Sequence, residues 1–274
     1  MMFVFFILTF FMSAAGIEHP LAIFGSGSLD SYSDMNKYGH FFTSFTWIKL
    51  YWFLFVLFLF VIAVVLSVRG SEAIFKSRLK VGKLRLTRPI LTLGLFALLS
   101  TVLAGCYVYY NTNKINRYMS REDREDKRVA YETTLKKFEN IPQPKIVDVN
   151  LKVEIYPYER DFTAEGYFWL KNKTALSISD IHIQTDVQHD MKNEYLRFEG
   201  GASADTSYHR FGYTIYTLQK PLTPGDSVKM SFKTRFETQG FVGGGSNTDV
   251  VYNGTFFNNL YFPTIGYNNA YEIG

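Results

Sequence analysis

The pattern of apolar and polar positions divides the chain in two. Before about position 110 the apolar residues run on without interruption, and after about position 145 they alternate with polar ones. Leu50–Val68 gives 19 residues without a charge, entered through Trp47, Tyr51 and Trp52 and closed by Arg69. Crossing about 30 Å of hydrocarbon takes roughly 20 apolar residues in a helix. In lipid every backbone polar group must be paired inside the segment, so the run predicts a membrane helix over 48–68. Pro89–Tyr110 gives 22 uncharged residues. Pro89 suits a first helical turn, where its missing N–H is no loss, and Tyr107, Tyr109 and Tyr110 form an aromatic belt at the exit. Gly94, Ala97, Ser100, Thr101, Ala104 and Gly105 let helix backbones approach closely. A helix over 89–110 is expected to pack against neighbours, some outside this chain. Met1–Ile17, 17 residues without a charge, reads as the tail of a third membrane helix, about 1–17. The other reading is a signal peptide cleaved near Ser13-Ala14-Ala15-Gly16, but no Lys or Arg precedes the run.

The rest predicts structure in water. Residues 111–141 read as a charged helical stalk with Ile115, Tyr118 and Met119, then Val129, Tyr131 and Leu135, near helical spacing. Ser120 and Asp123 resemble a capping box, and Pro142 and Pro144 stop the helix. The period then falls to 2. Val147, Val149, Leu151, Val153 and Ile155 share one face of a strand, and Phe162, Ala164, Gly166, Phe168 and Leu170 one face of the next. Further strands are expected near 178–185, 195–200, 211–218 and 228–236, the last after the turn 221-PLTPGDS-227. Strands with one apolar and one polar face pack on a single core. The predicted fold class is a membrane α-helical segment, 1–110, followed by an all-β domain, 142–274, an antiparallel β-sandwich or saddle of six or seven strands. The tail 240–274, rich in Gly, Asn and aromatics, reads as incomplete at its carboxyl end, with aromatics that another element should cover.

Average composition, 47% hydrophobic with a net charge of +4, hides this division. The charges matter through their distribution. The loop 69–88 holds seven Lys/Arg (Arg69, Lys76, Arg78, Lys80, Lys83, Arg85, Arg88) against Glu72, whereas 18–46 holds only Lys37. Cytoplasmic loops keep the Lys/Arg excess. Residues 69–88 are therefore expected in the cytoplasm and 111–274 outside it, in a multi-pass protein of a bacterial inner membrane. Eight Lys/Arg in 114–137 pull the other way. Between two membrane spans, attraction to anionic membrane lipid explains the basic loop better than nucleic acid does, so no nucleic-acid partner is expected.

The search for chemistry yields no catalytic, cofactor-binding or metal-binding residue. His19 and His40 with Asp30 and Asp34 lack a recognised ligand spacing. His182, between Ile181 and Ile183, is expected on the polar face of its strand, with His189 and Asp190 in the following loop as solvated residues. No His-Glu-x-x-His is present. Gly243-Gly244-Gly245 lacks the lysine of a phosphate loop. The one cysteine, Cys106, reads as a small membrane-buried residue. Asn172-Lys173-Thr174 and Asn253-Gly254-Thr255 match a glycosylation pattern that is frequent by chance.

One resemblance joins these parts. The stretch PQPKIVDVNLKVEIYPYERDFTAEGYFWLKNKTALSISDIHIQ, with PLTPGDSVKMSFKTRF and YFPTIGYNNAYEI, resembles the amino-terminal β-domain of the zinc aminopeptidase family that carries His-Glu-x-x-His and Gly-x-Met-Glu-Asn. The helical part is similar to bacterial fusions of an ABC-exporter permease with such a peptidase. The resemblance implies a membrane-anchored, non-catalytic part of a peptidase–permease fusion. It implies zinc in a catalytic domain that this sequence does not reach, and a full protein that removes amino-terminal residues from peptides outside the cytoplasm. The partners implied are that catalytic domain or its continuation, other permease helices and a separate ATPase subunit. The rival reading is an export-permease subunit whose periplasmic β-domain binds cargo.

Overall fold

The computed structural model describes residues 12, 16–27, 29, 32, 34, 37–67, 75–185, 191–243, 249–256 and 258–273, with the backbone alone at 75–78. Met1–Ile17, read above as a helix, lies almost wholly outside the described residues. The chain forms two units, one built on the apolar helices together with Gln239–Gly243, the other on the residues from Glu122 to Thr238 with the tail.

In the first unit α1 spans Phe41–Leu66, α2 Phe75–Arg85 and α3 Arg88–Tyr109. Among the described residues two helices are long and apolar enough to cross a membrane: α1, and α3 with its extension to Ile115. At 1.5 Å per residue, the 26 residues of α1 reach well beyond about 30 Å of hydrocarbon. The helix begins seven residues before the predicted start at 48, because Phe41–Trp47 are aromatic or neutral and carry it on. The small residues of α3 meet α1. A Cβ on Gly105 would stand 3.1 Å from the Tyr51 ring, and one on Gly94 3.3 Å from Val61 Cγ1. The α2 helix within the basic loop was not expected. Past Tyr109 the helix widens into a π-helical turn over Tyr110–Ile115. Asn111 Nδ2 donates to the Tyr107 carbonyl at 2.9 Å and Thr112 Oγ1 to that of Val108 at 2.9 Å, side-chain bonds that draw on the helix's own acceptors.

The loop 18–27 folds over the ends of α1 and α3. Trp52 Nε1 donates to the Pro20 carbonyl at 3.1 Å, and Lys49 Nζ to those of Gly25 at 2.7 Å and Ser26 at 3.0 Å. Gln239–Gly243 join them. Phe241 is buried with Ile48, Trp52 and Val108, and Asn116 Nδ2 donates to the Gln239 carbonyl at 2.9 Å. Gly240 adopts φ +59°, and a Cβ there would fall 2.5 Å from Asn111 Oδ1, so only glycine fits.

Just before the second unit begins, the expected charged stalk is interrupted. Residues 116–120 are not helical, and α4 starts at Arg121, directly after Ser120, and runs to Leu135. Among the described residues ten strands follow, in three antiparallel sheets that do not close, where six or seven strands were expected. The first sheet has the order β1 (Lys145–Tyr156), β2 (Asp161–Lys171), β7 (Ser227–Phe236), β4 (Lys192–Phe198). The second has β10 (Thr264–Ile265), β3 (Ile178–Gln184), β6 (Tyr213–Leu222), β5 (Ala202–Asp205). The third pairs β8 (Val250–Val251) with β9 (Gly254–Thr255).

The alternation read from the sequence sets the register. Val149, Leu151, Val153 and Ile155 of β1 stand opposite Phe168, Gly166, Ala164 and Phe162 of β2. Gly166 is required, since a Cβ there would lie 2.0 Å from the Asn150 carbonyl oxygen. Phe168, Leu170, Met230 and Phe232 of the first sheet share one core with Ile181, Ile183, Leu218 and Leu222 of the second. The other face of the second sheet is covered too, by α4 and the turn after it. Tyr131 and Leu135 pack there with Phe211 and Tyr213, and Phe138 stacks on Tyr213 at 5.8 Å. The edge strand β1 is left partly bare: Val149 and Ile155 remain 52% and 40% exposed although their partners on β2 are buried.

Candidate functional site

The polar face of the first sheet gathers ionisable groups from four strands. Alternation puts Lys152 and Glu154 of β1, Thr163 and Glu165 of β2, Lys233 and Arg235 of β7 and Glu194 of β4 around one open hollow of about 300 Å³. The charges answer one another. Lys152 Nζ lies 2.7 Å from Glu154 Oε1, Lys233 Nζ 2.8 Å from Glu194 Oε2 and Arg235 Nη2 2.7 Å from Glu237 Oε1. The Tyr195 hydroxyl donates to Glu165 Oε1 at 3.0 Å, and Lys229 Nζ sits 4.0 Å from the centre of the Tyr167 ring.

These contacts fix the protonation states. The hydrogen bond from Lys152, then its charge, holds the Glu154 carboxyl below its usual range, and that from Lys192 does so for Glu237. Glu154 and Glu194 in turn push Lys152 and Lys233 up. A general acid at neutral pH needs a raised carboxyl, and a nucleophilic amine needs a lowered one. Both shifts run the wrong way. The face is a solvated set of ion pairs, screened by water and salt.

Two of the histidines singled out in the sequence, His19 and His182, have hydrogen-bond partners. Asn113 Oδ1 lies 2.7 Å from His19 Nε2. His19 Nδ1 accepts from the backbone N–H of Leu21 at 3.2 Å, which assigns the proton to Nε2. His182 corrects its expectation. Instead of facing water it is 3% exposed, because α4 and Phe138 cover the side of β3 that alternation marks as polar. Its Nδ1 lies 2.8 Å from the Tyr213 hydroxyl, and the Phe138 ring meets it edge-on at 4.9 Å. Burial pulls the imidazole pKa below 6.5, and the Asp180 charge offsets this in part. Asp30, His189 and Asp190 lie outside the described residues. Among those described, no three His, Cys, Asp or Glu side chains converge as a metal site. Zinc therefore has no ligand set among the described residues.

Asn172 is fully buried, which the sequence did not signal. Its Nδ2 donates to the carbonyls of Leu176 at 2.7 Å and Leu222 at 2.8 Å, and its Oδ1 accepts from Thr174 N and Oγ1 at 2.9 and 2.7 Å. The Asn-x-Thr spacing here builds a turn and leaves no amide for a glycan. Cys106 is exposed on α3. Gly243 sits close against Pro20, where a Cβ would lie 2.6 Å from Cγ; Gly244 and Gly245 lie outside the described residues.

No protein-family model matches the chain, and no curated protein does. Among solved structures it is similar to M1 zinc metallopeptidases. A two-domain M1 zinc metallopeptidase variant bound to L-tryptophan gives 12% identity and a TM-score of 0.29 over 37% of this chain and 22% of that one. An M1 zinc metallopeptidase variant from Deinococcus radiodurans gives 12% and 0.29 over 35% and 21%. The matched region thus spans about a fifth of the length of those structures.

Proposed function

We propose that the chain is the membrane-anchored, non-catalytic part of a zinc aminopeptidase fused to an ABC-type permease. On this reading α1 and α3 cross a bacterial inner membrane, with the basic loop in the cytoplasm and the β-domain outside. The β-domain supports a catalytic domain that carries the zinc and lies outside this sequence. One observation carries the reading. The stretches that give the sequence its resemblance to the aminopeptidase amino-terminal domain join in one folded unit. PQPKIVDVNLKVEIYPYERDFTAEGYFWLKN supplies β1 and β2, PLTPGDSVKMSFKTRF supplies β7 beside β2, and YFPTIGYNNAYEI supplies β10 beside β3. The bare apolar row of β1, Val149 to Ile155, is the surface offered to the catalytic domain.

The test is reconstitution. The purified chain in nanodiscs is mixed with a His-Glu-x-x-His catalytic domain from such a fusion, and hydrogen exchange is followed along β1. The proposal expects slowed exchange at residues 149–155 on mixing, and no zinc-dependent release of an amino acid from a peptide by the chain alone. Release by the chain alone, or unchanged exchange on mixing, would contradict it.

A further inference from the structure

The basic helix α2 sorts its charges into two kinds. It is packed against the end of α1, since a Cβ on Gly82 would stand 3.3 Å from Val65 Cγ1 and 3.4 Å from Leu66 Cδ2. Arg85 is already committed. Its Nη1 donates to the carbonyl of Ser67, the residue closing α1, and lies 3.3 Å from Ser67 Oγ. There it supplies the positive charge that the end of a helix favours. Lys80, Lys83 and Arg88 are exposed and have no hydrogen-bond or ion-pair partner among the described residues. No acid occurs between Ala73 and Ser120 to neutralise them.

The apolar side chains of this segment face outward too. Leu84 is 85% exposed, and Leu79 and Leu86 are 43% and 47% exposed. Leucines left in water forgo the free energy that burial of their side chains would gain. Leucines and cations are interleaved along α2, not segregated to opposite faces. Such a helix suits the boundary between acyl chains and headgroups, where long lysine stems lie along apolar surface and carry their ammonium groups to the phosphates. Lys and Arg close to an anionic bilayer surface are drawn to its negative potential. The position agrees, because α2 joins the end of one membrane-length helix to the start of the next.

We propose that α2 lies in the headgroup layer and recognises anionic phospholipid. Lys80, Lys83 and Arg88 take the phosphates, Leu84 enters the acyl boundary, and Arg85 holds the helix to α1. This rests on the reading of α1 and α3 as membrane-spanning. The experiment uses the full chain with Cys106→Ala and a spin label on Leu84→Cys. Its depth is measured in nanodiscs of phosphatidylcholine alone and of phosphatidylcholine with phosphatidylglycerol. In the anionic discs the label is expected at the acyl boundary. It is expected to move about 5 Å or more toward water in the neutral discs, and likewise in the anionic discs when Lys80, Lys83 and Arg88 are all changed to Gln. A second label, on Leu103→Cys of α3, tests the underlying reading and is expected in hydrocarbon throughout. A watery Leu103 label overturns the membrane-spanning reading itself. A Leu103 label in hydrocarbon overturns the α2 proposal alone if the Leu84 label stays in water in both lipids, or sits equally deep whatever the charge.

Discussion

The Tyr213 hydroxyl lies 2.8 Å from Nδ1 of His182, with both side chains buried on the face of the second sheet that α4 covers. The pair is the polar centre of an aromatic cluster that holds Phe138, Tyr131 and Tyr208 against the sheet. Tyr213→Phe leaves the imidazole nitrogen buried without this partner, which costs about 1–3 kcal/mol. Thermal unfolding of the β-domain in the intact chain, followed by circular dichroism, should show the loss. An unchanged midpoint would mean that the hydrogen bond is dispensable.

The same pair makes stability depend on pH. Burial lowers the His182 pKa from 6.5 in the folded state, so below pH 6.5 the unfolded chain binds more protons than the folded one. Stability then falls as pH drops from 6.5 toward the folded value, and levels off below it. At pH 7 and above the imidazole is neutral in both states and its contribution is complete. His182→Gln should flatten this part of the stability–pH curve, read as unfolding midpoints between pH 7.5 and 5.

Gly166→Ala should separate β1 from β2. The added carbon would lie 2.0 Å from the backbone oxygen of Asn150, an atom that cannot turn aside as a flexible side chain would. Overpacking of this kind costs about 1–3 kcal/mol or more. Exchange of amides in β1 should rise before that in β7. Equal rates in the variant and the parent chain would contradict the assigned register.

Asn172→Ala removes two donated and two accepted hydrogen bonds at a buried turn. The Leu176 carbonyl keeps the Thr174 hydroxyl as a donor at 3.1 Å, but the Leu222 carbonyl loses its buried side-chain donor, and about 1–3 kcal/mol is lost. Expression in a glycosylating host should leave Asn172 unmodified in folded protein, as mass spectrometry would show.

Those expectations also mark what the sequence could reveal. The long strands were legible because Val149, Leu151 and Val153, or Val228, Met230 and Phe232, alternate over enough residues to state which face is buried. The uncharged runs that became α1 and α3 were legible from length alone. His182 was misjudged because alternation says that a position shares a face with polar neighbours, not whether a helix that ends at Leu135, far earlier in the chain, lies on that face. Strands β5 and β10, of four and two residues, have no period of their own and exist through hydrogen bonds to β6 and β3. Asn111 and Thr112 unwind the end of α3 into a π-helical turn by bonding their own helix's carbonyls, a competition that hydropathy does not register.

The account depends on α3 crossing a bilayer, which would put the α2 loop and the β-domain on opposite sides. Two variants in the Cys106→Ala background test this, Lys80→Cys in α2 and Leu176→Cys between β2 and β3, both exposed. They are treated in intact bacterial spheroplasts with a maleimide that does not cross membranes. The account predicts that Leu176→Cys is labelled at once and Lys80→Cys only after the membrane is opened. Labelling of both, or of neither, before opening would contradict it.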